Sequence, residues 1–353
     1  EPERDITRLF PADRDGASIH VATQGAKIGV SGEEIIIQPP GGEPEHRIPS
    51  HGVESVVLHG SVQVSTQAIR RLAEHGIAVH WMTVTGFHHS SLVSGSGKVQ
   101  RRLRQYAAMS DGETRLRLSK ALVAARVDGQ YRYLLRASRK DSQLREKMTR
   151  GFDKIAECLG RVPAAESDES LRGLEGMAAA TYFSALDGLI NDDVAPELRF
   201  GGRNRRPPLD RFNALLGYGY GLVHSAVMGA VLASGLEPAL GFYHKPRSAA
   251  HPLVLDLMEL FRLPVWDMTL VASINRNQWD IHGDFEVTKA KVWLSERGRK
   301  KAISLFENRM QETWKHPVLD YSLSYGRSME LEARLLEKEW TGEPGLFAQS
   351  RLR

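Results

Sequence analysis

Apolar and polar residues alternate in short runs over the first quarter of the chain. SIHVA, AKIGV, EEIIIQ, VESVVLHG and VQVS follow one another, separated by QG, SGE and PPGGEP turn signals. That is the period of strands. STQAIRRLAEHG interrupts them as a short amphipathic helix, with Ser65 as its N-cap and Gly76 as its stop, before the apolar strand IAVHWM. The pattern predicts a lead-in over residues 1–17 and a β-rich domain over residues 18–90. The small, Gly-rich SSLVSGSGK, Ser90 to Lys98, reads as the boundary.

Beyond it the period changes to 3.6. RRLRQYAAM, TRLRLSKALVAARVDGQYRYLLRA and LRGLEGMAAATYFSALDGLI read as helices. A long apolar helix is expected to start at Pro207 and Pro208 and to close at Gly235. LVLDLMELF, KVWLSERGRKKAISLFENRMQETW and YGRSMELEARLLEKEW continue the helical pattern. The fold class is therefore α+β, with residues 91–353 forming a mainly α-helical domain. GYGYG at 217–221 falls inside a helix and follows no strand, so it is not a nucleotide-binding fingerprint. The chain has no internal repeat and no low-complexity tract.

Composition narrows the setting. A chain of 353 residues is long enough for two domains. Its net charge of +4 and isoelectric point near 9.1 permit a polyanionic partner. One cysteine, Cys158, excludes an internal disulfide framework and fits a reducing compartment. No run approaches the roughly 20 apolar residues of a membrane span and no secretory signal opens the chain, so a cytoplasmic, membrane-free location is expected. The first residue is Glu1, which suggests a segment of a longer polypeptide.

Candidate chemistry gathers in the helical half. In GLEPALGFYHKPRSAAHPLVLDLMELFR, His244 sits in a Gly/Pro-punctuated loop, and Asp256 and Glu259 share one face of an apolar helix at a spacing of three. Upstream, Glu175 shares its helical face with Leu171, Ala178, Ala179 and Tyr182, either as a structural glutamate paired with an arginine or as part of a site. Gly173 and Gly176 flank it and weaken the helix, for which close approach of a substrate is one compensation. One imidazole and two or three carboxylates suit Mg²⁺ or Mn²⁺ with open water positions. Arg203, Arg205 and Arg206 precede a helix start and suit phosphate. The run from Arg101 to Lys140, including Arg115, Arg117, Arg126 and Arg132, reads either as a solvated face or as a phosphate-contacting one, because acidic partners are sparse nearby. His51, His59, His80, His88 and His89 share no ligand spacing and read as surface or packing residues.

LRGLEGMAAATYF, RNRRPPLDRFNALLGYGYGLV, GLEPALGFYH and LVLDLMELFR, in that order, resemble the motifs of the CRISPR-associated integrase family, CRISPR-associated protein 1. VVLHGSVQVSTQAIRRLAEHGIAVHWM and the terminal ARLL match too, so the resemblance covers nearly the whole chain. It implies an N-terminal β-rich dimerisation domain and a helical catalytic domain. It also implies that Glu175, His244 and Glu259 are catalytic and bind the metal, with Asp256 as a further candidate ligand. Lys245 and Arg247 beside His244 would help hold the attacked phosphate. Such proteins insert short foreign DNA into a repeat array, the fragment's 3′-hydroxyl attacking the repeat backbone. The implied partners are double-stranded DNA, a second copy of the chain, CRISPR-associated protein 2 and a Cas4-type nuclease. LFPADRDGASIHV resembles the junction to such a nuclease in fused members, so the chain is expected to be the integrase part of a fusion. Two other classes stay in view: a non-catalytic DNA-binding scaffold, and a small-molecule phosphoesterase, which the extended arginine surfaces disfavour.

Overall fold

The strand-period segments fold into two sheets. The computed structural model describes residues 17–92, 99–139, 141–204, 207–245, 251–316, 322–342 and 344–349. The expected lead-in through residue 16, residues 93–98 of the boundary, and Arg205, Arg206 and Arg247 lie outside the described residues. The first part contains β1 (Ala17–Val21), β2 (Lys27–Ser31), β3 (Glu34–Gln38), β4 (His46–Pro49), β5 (Val53–His59), β6 (Gln63–Val64), α1 (Thr66–Glu74), β7 (Ala78–Met82) and β8 (His88–Leu92). One sheet has the order β1-β5-β7-β8, with β1, β5 and β7 parallel and β8 antiparallel to β7. The other has the order β4-β3-β2-β6.

Alternation along the strands decides what each face of the first sheet touches. Val56, Leu58 and Val79 share one apolar cluster with Ile28 and Ile35 of the second sheet and with Ala68 and Leu72 of α1. Val57 and Met82 point the other way and join the core of the helical domain. The Val-Val-Leu run of β5 is thus buried on both faces, as a central parallel strand should be.

The helical part comprises α2 (Val99–Ser110), α3 (Gly112–Ala137), α4 (Ser142–Arg161), α5 (Asp168–Leu186), α6 (Arg211–Ser234), α7 (Pro252–Met258) and α8 (Met268–Asn275). It continues through β9 (Phe285–Val287), β10 (Val292–Leu294), α9 (Glu296–Gln311), β11 (Thr313–Lys315), β12 (Ser322–Ser324) and α10 (Tyr325–Thr341). Three details differ from the sequence expectation. α6 begins at Arg211 rather than at Pro207, because Asp210 is the N-cap and its side chain accepts the backbone N–H of Asn213 at 2.7 Å. The helix expected to reach Trp314 stops at Gln311, and Thr313–Lys315 pairs with Ser322–Ser324 as a hairpin. Finally, α6 is long and apolar enough to cross a membrane by length and composition, but more than half of that apolar stretch is buried inside the protein. It is the central core helix, which is why its apolar residues run all round it.

GYGYG acquires a packing meaning on α6. A Cβ built on Gly219 would enter the Trp266 indole, whose Nε1 donates to the Leu215 carbonyl at 3.1 Å. A Cβ on Gly221 would enter the carbonyl of Gly86, in the turn between β7 and β8. The two tyrosines of the motif, Tyr218 and Tyr220, carry hydroxyls to buried partners, His59 Nδ1 at 3.2 Å and Asp267 Oδ1 at 2.9 Å. His59 in turn meets His20 at 3.0 Å, and His20 meets Glu307 of α9 at 2.9 Å, so one polar relay crosses from sheet to helices. Burial pushes His59 down to about 3, which keeps it neutral in that relay.

Gly221→Ala is expected to destabilise the protein by about 1–3 kcal/mol or more through backbone displacement at the domain junction. Gly217→Ala, where an added Cβ meets nothing within 4 Å, is expected to be neutral or stabilising by up to about 1 kcal/mol. Urea midpoints of the two variants check this, and equal midpoints would contradict it.

Candidate active site

Two acidic residues from distant parts of the chain are drawn together by one arginine. Glu175 lies on α5, which starts at a Ser167 capping box, and its side chain is 20% exposed. Glu259 follows α7 as its C-cap and is only 3% exposed. Arg126 of α3 reaches both: Nη1 donates to Glu175 Oε1, and Nε lies 3.1 Å from Glu259 Oε2. Arg262 Nη1 pairs with Glu259 Oε1 at 2.5 Å. Glu259 Oε2 is nevertheless a buried oxygen with no well-directed hydrogen bond, because Arg126 approaches it only as an ion contact. Burial alone would push the Glu259 carboxyl up; Arg126, Arg262 and His244 outweigh it and hold the group below the usual carboxylate value.

Tyr243 donates its hydroxyl to Glu175 Oε2 at 3.0 Å. Burial pushes that phenol up to about 12, so it stays a donor at neutral pH. The next residue, His244, is set by Asp256, which is fully buried. Asp256 accepts the backbone N–H groups of Phe242 at 2.7 Å, Tyr243 at 3.1 Å and His244 at 2.8 Å, and contacts His244 Nδ1 at 2.6 Å. A carboxylate with these four contacts fixes the loop and the ring together, and leaves Nε2 as the free imidazole nitrogen. The loop can wrap this closely because residue 241 is glycine: a Cβ there would strike the Asp256 carboxylate and Pro252.

The chain past Glu259 does not continue the α-helix that LVLDLMELFR suggests. It turns at Leu260 and Phe261 and enters a wider π-type turn over Arg262–Asp267, where Pro264 lacks the N–H an α-ladder needs. That break keeps Glu259 at the helix end, facing α3 and α5.

The structure therefore brings Glu175 and Glu259 to one guanidinium and places His244 beside them. The ligand atoms of Glu175, His244 and Glu259 are not all within 4.8 Å of one another. The predicted phosphate contacts divide. Arg203 stacks over the rings of Phe183 at 5.6 Å and Tyr220 at 5.7 Å, and with Arg199 and Arg211 lines a cavity of about 420 Å³. Lys245 is exposed, with Glu169 3.6 Å away.

The basic run is less free than its local sequence suggests. Arg101 pairs with Glu337 at 2.8 Å, Arg115 with Asp168 at 3.4 Å, Arg117 with Glu339 and Arg132 with Asp128 at 2.8 Å. Most of these partners come from α10 and α5, far away in sequence. Sequence reasoning missed three residues of the site. Arg262 was detectable by its spacing of three from Glu259, and Tyr243 by its place beside His244. Arg126 had no signal, since it looks like any other arginine of α3.

Residues 19–308 match the family described as CRISPR associated protein Cas1. A CRISPR-associated exonuclease Cas4/endonuclease Cas1 fusion from Myxococcus xanthus is 52% identical over 359 residues, covering 100% of this chain and 63% of the fusion. The chain thus spans a little under two thirds of that curated relative. CRISPR-associated endonuclease Cas1 1 from Chlorobaculum tepidum is 32% identical over 335 residues, covering 94% of this chain and 96% of the relative. The solved structure of a CAS1 protein from Thermotoga maritima superposes with a TM-score of 0.78 at 20% identity, over 94% of this chain and 99% of that one. A match over most of the chain, a relative matched nearly end to end and a shared fold agree: this chain belongs to the CRISPR associated protein Cas1 family.

Proposed function

We propose that this chain is a divalent-metal-dependent DNA endonuclease and integrase of CRISPR adaptation. It joins short double-stranded DNA to the repeat array by attack of the fragment's 3′-hydroxyl on the repeat phosphodiester. One observation supports this above the rest. Two carboxylates from separate helices share the guanidinium of Arg126, with Arg262 also on Glu259, beside an imidazole whose Nδ1 is held by Asp256. Glu259 Oε2, which has an ion contact with Arg126 and no hydrogen bond, supports the reading of this carboxylate as a ligand for a further cation.

Glu175, His244 and Glu259 would hold Mg²⁺ or Mn²⁺, which when bound supplies Lewis-acid polarisation of the phosphate and activation of the attacking hydroxyl. Asp256 acts on His244 by position, holding Nδ1 so that Nε2 faces outward. Tyr243 steadies Glu175. Added side chains at Gly173 and Gly176 would meet nothing within 4 Å, so the α5 backbone is bare on both sides of Glu175, which leaves room for a DNA strand. Arg203 and Lys245, with Arg205, Arg206 and Arg247, are assigned to phosphate contact. The proposed partners are a second copy joined through the β-rich domain, CRISPR-associated protein 2, and a Cas4-type nuclease. The free, buried Cys158 suits work in a reducing cytoplasm.

The second reading is a DNA-binding scaffold in which Glu175, Arg126 and Glu259 form only a structural ion network. The ion pairs themselves favour it, and two measurements separate it from the first. In a strand-transfer assay with Mn²⁺, Glu175→Ala and His244→Ala are expected to lose a hundredfold or more, about 3 kcal/mol of barrier, while DNA binding persists. Asp256→Asn is expected to lose about 10–100-fold. Transfer undiminished in the first two variants, or in excess chelator, would leave only the scaffold. Arg126→Gln removes the guanidinium shared by the two carboxylates and, among the described residues, leaves Glu175 without an ion pair and Glu259 with Arg262 alone, so its melting temperature is expected to fall below wild type in chelator and to recover with Mn²⁺. A fall that Mn²⁺ does not reverse would count against metal binding between these carboxylates.

A further inference from the structure

Away from the acidic site, three imidazoles meet where the β-rich domain packs on the helices. His88 opens β8 and is buried, His224 lies midway along α6, and His251 immediately precedes α7. Their ring centroids are 4.9 Å apart for His88 and His224, 5.6 Å for His88 and His251, and 5.9 Å for His224 and His251. One ring nitrogen of each lies within 4.8 Å of the other two.

The surroundings are those of a ligand set more than of ring packing. The Ser91 hydroxyl sits 2.7 Å from His88 Nε2 and 2.7 Å from His80 Nδ1, which orients the His88 ring and leaves its Nδ1 uncommitted. His224 Nδ1 is buried with no hydrogen-bond partner, a state that native proteins seldom leave unexplained. Burial, then the neighbouring imidazoles, push His88 down to about 4 and His224 to about 3; burial also lowers His251. All three are thus in the neutral form that carries a free lone pair.

We propose that His88, His224 and His251 form a three-nitrogen site for a borderline transition-metal ion, Zn²⁺ foremost, which staples β8 and α6 to the start of α7. Three nitrogens and no carboxylate select against Mg²⁺ and Mn²⁺ and in favour of Zn²⁺ and its neighbours in the series. Metal–nitrogen bonds of about 2.0–2.1 Å in a tetrahedron place the nitrogens about 3.4 Å apart, so the rings need close by no more than about 1.4 Å, with water as the fourth ligand. Because α7 carries Asp256 and leads into Glu259, the staple would fix the helix that organises the acidic site. The proposal does not depend on that site's chemistry.

The test uses the untagged full chain, stripped with chelator, dialysed, and titrated with Zn²⁺ in excess Mg²⁺. One tightly held Zn²⁺ per chain is expected, with a rise in melting temperature of about 4 °C at a hundredfold excess over the dissociation constant. Co²⁺ in its place should give the visible absorption of a four- or five-coordinate nitrogen site. His224→Gln and His251→Gln, each verified as folded by circular dichroism, should lose the ion and the thermal shift, whereas Glu175→Gln should keep both. If His224→Gln does not fold, His251→Gln, which lies at the rim, carries the comparison alone. Failure of the wild type to retain Zn²⁺, retention undiminished in the histidine variants, or loss confined to Glu175→Gln would overturn the assignment.

Discussion

A buried carboxylate and a half-buried one cannot be brought face to face without a positive charge between them, and α3, α5 and the end of α7 meet around that requirement. In a medium of low polarity their repulsion and lost hydration would each cost several kcal/mol. Arg126 meets Glu175 and Glu259 together, and Arg262 meets Glu259 again. A single guanidinium thereby ties α3 to α5 and to the end of α7. What holds these elements is the same appetite for a cation that would make the place chemically useful, so structure and proposed activity draw on one set of charges.

Asp256 works differently. Among the described residues it is buried without an arginine or lysine partner, and it accepts three backbone N–H groups and contacts one imidazole. Such a carboxylate sets the shape of a loop rather than joining two helices, and the imidazole inherits its orientation from the loop. The division of labour between neighbouring acids follows from what surrounds each one: α3 lies over Glu259, and a turn of main chain lies over Asp256.

How much of this was legible in the sequence depended on how local each signal was. The face carrying Glu175, the loop around His244 and the spacing of Asp256 and Glu259 were readable because each is contained in a few turns of chain. Whether Arg126 faced water or a carboxylate was not, because its partners lie 49 and 133 residues further on. His80 and His88 were read as surface or packing residues for a related reason. His80 and His88 come together across an antiparallel pair, and His224 and His251 reach them from other elements, so no linear spacing could reveal the group. At α6 the two prolines were read as the start, and the helix begins later because the Asp210 side chain satisfies a backbone donor of its first turn, which proline cannot do. GYGYG was legible only as something that is not a nucleotide loop; its purpose needed Trp266 and Gly86 in place.

The central position of α6 has a consequence for how the protein is made. The helix packs against β7 and β8, which precede it, and against α7, β10, α9 and α10, which follow it. Emerging from the ribosome, it can be sheltered on its early side as soon as it forms, yet its other side waits for about a hundred further residues of translation. During that interval the nascent chain displays one side of an apolar helix of 24 residues without its final cover. Biosynthesis is therefore most exposed to aggregation between completion of α6 and arrival of α10, and a chaperone that shields helices has its clearest task there.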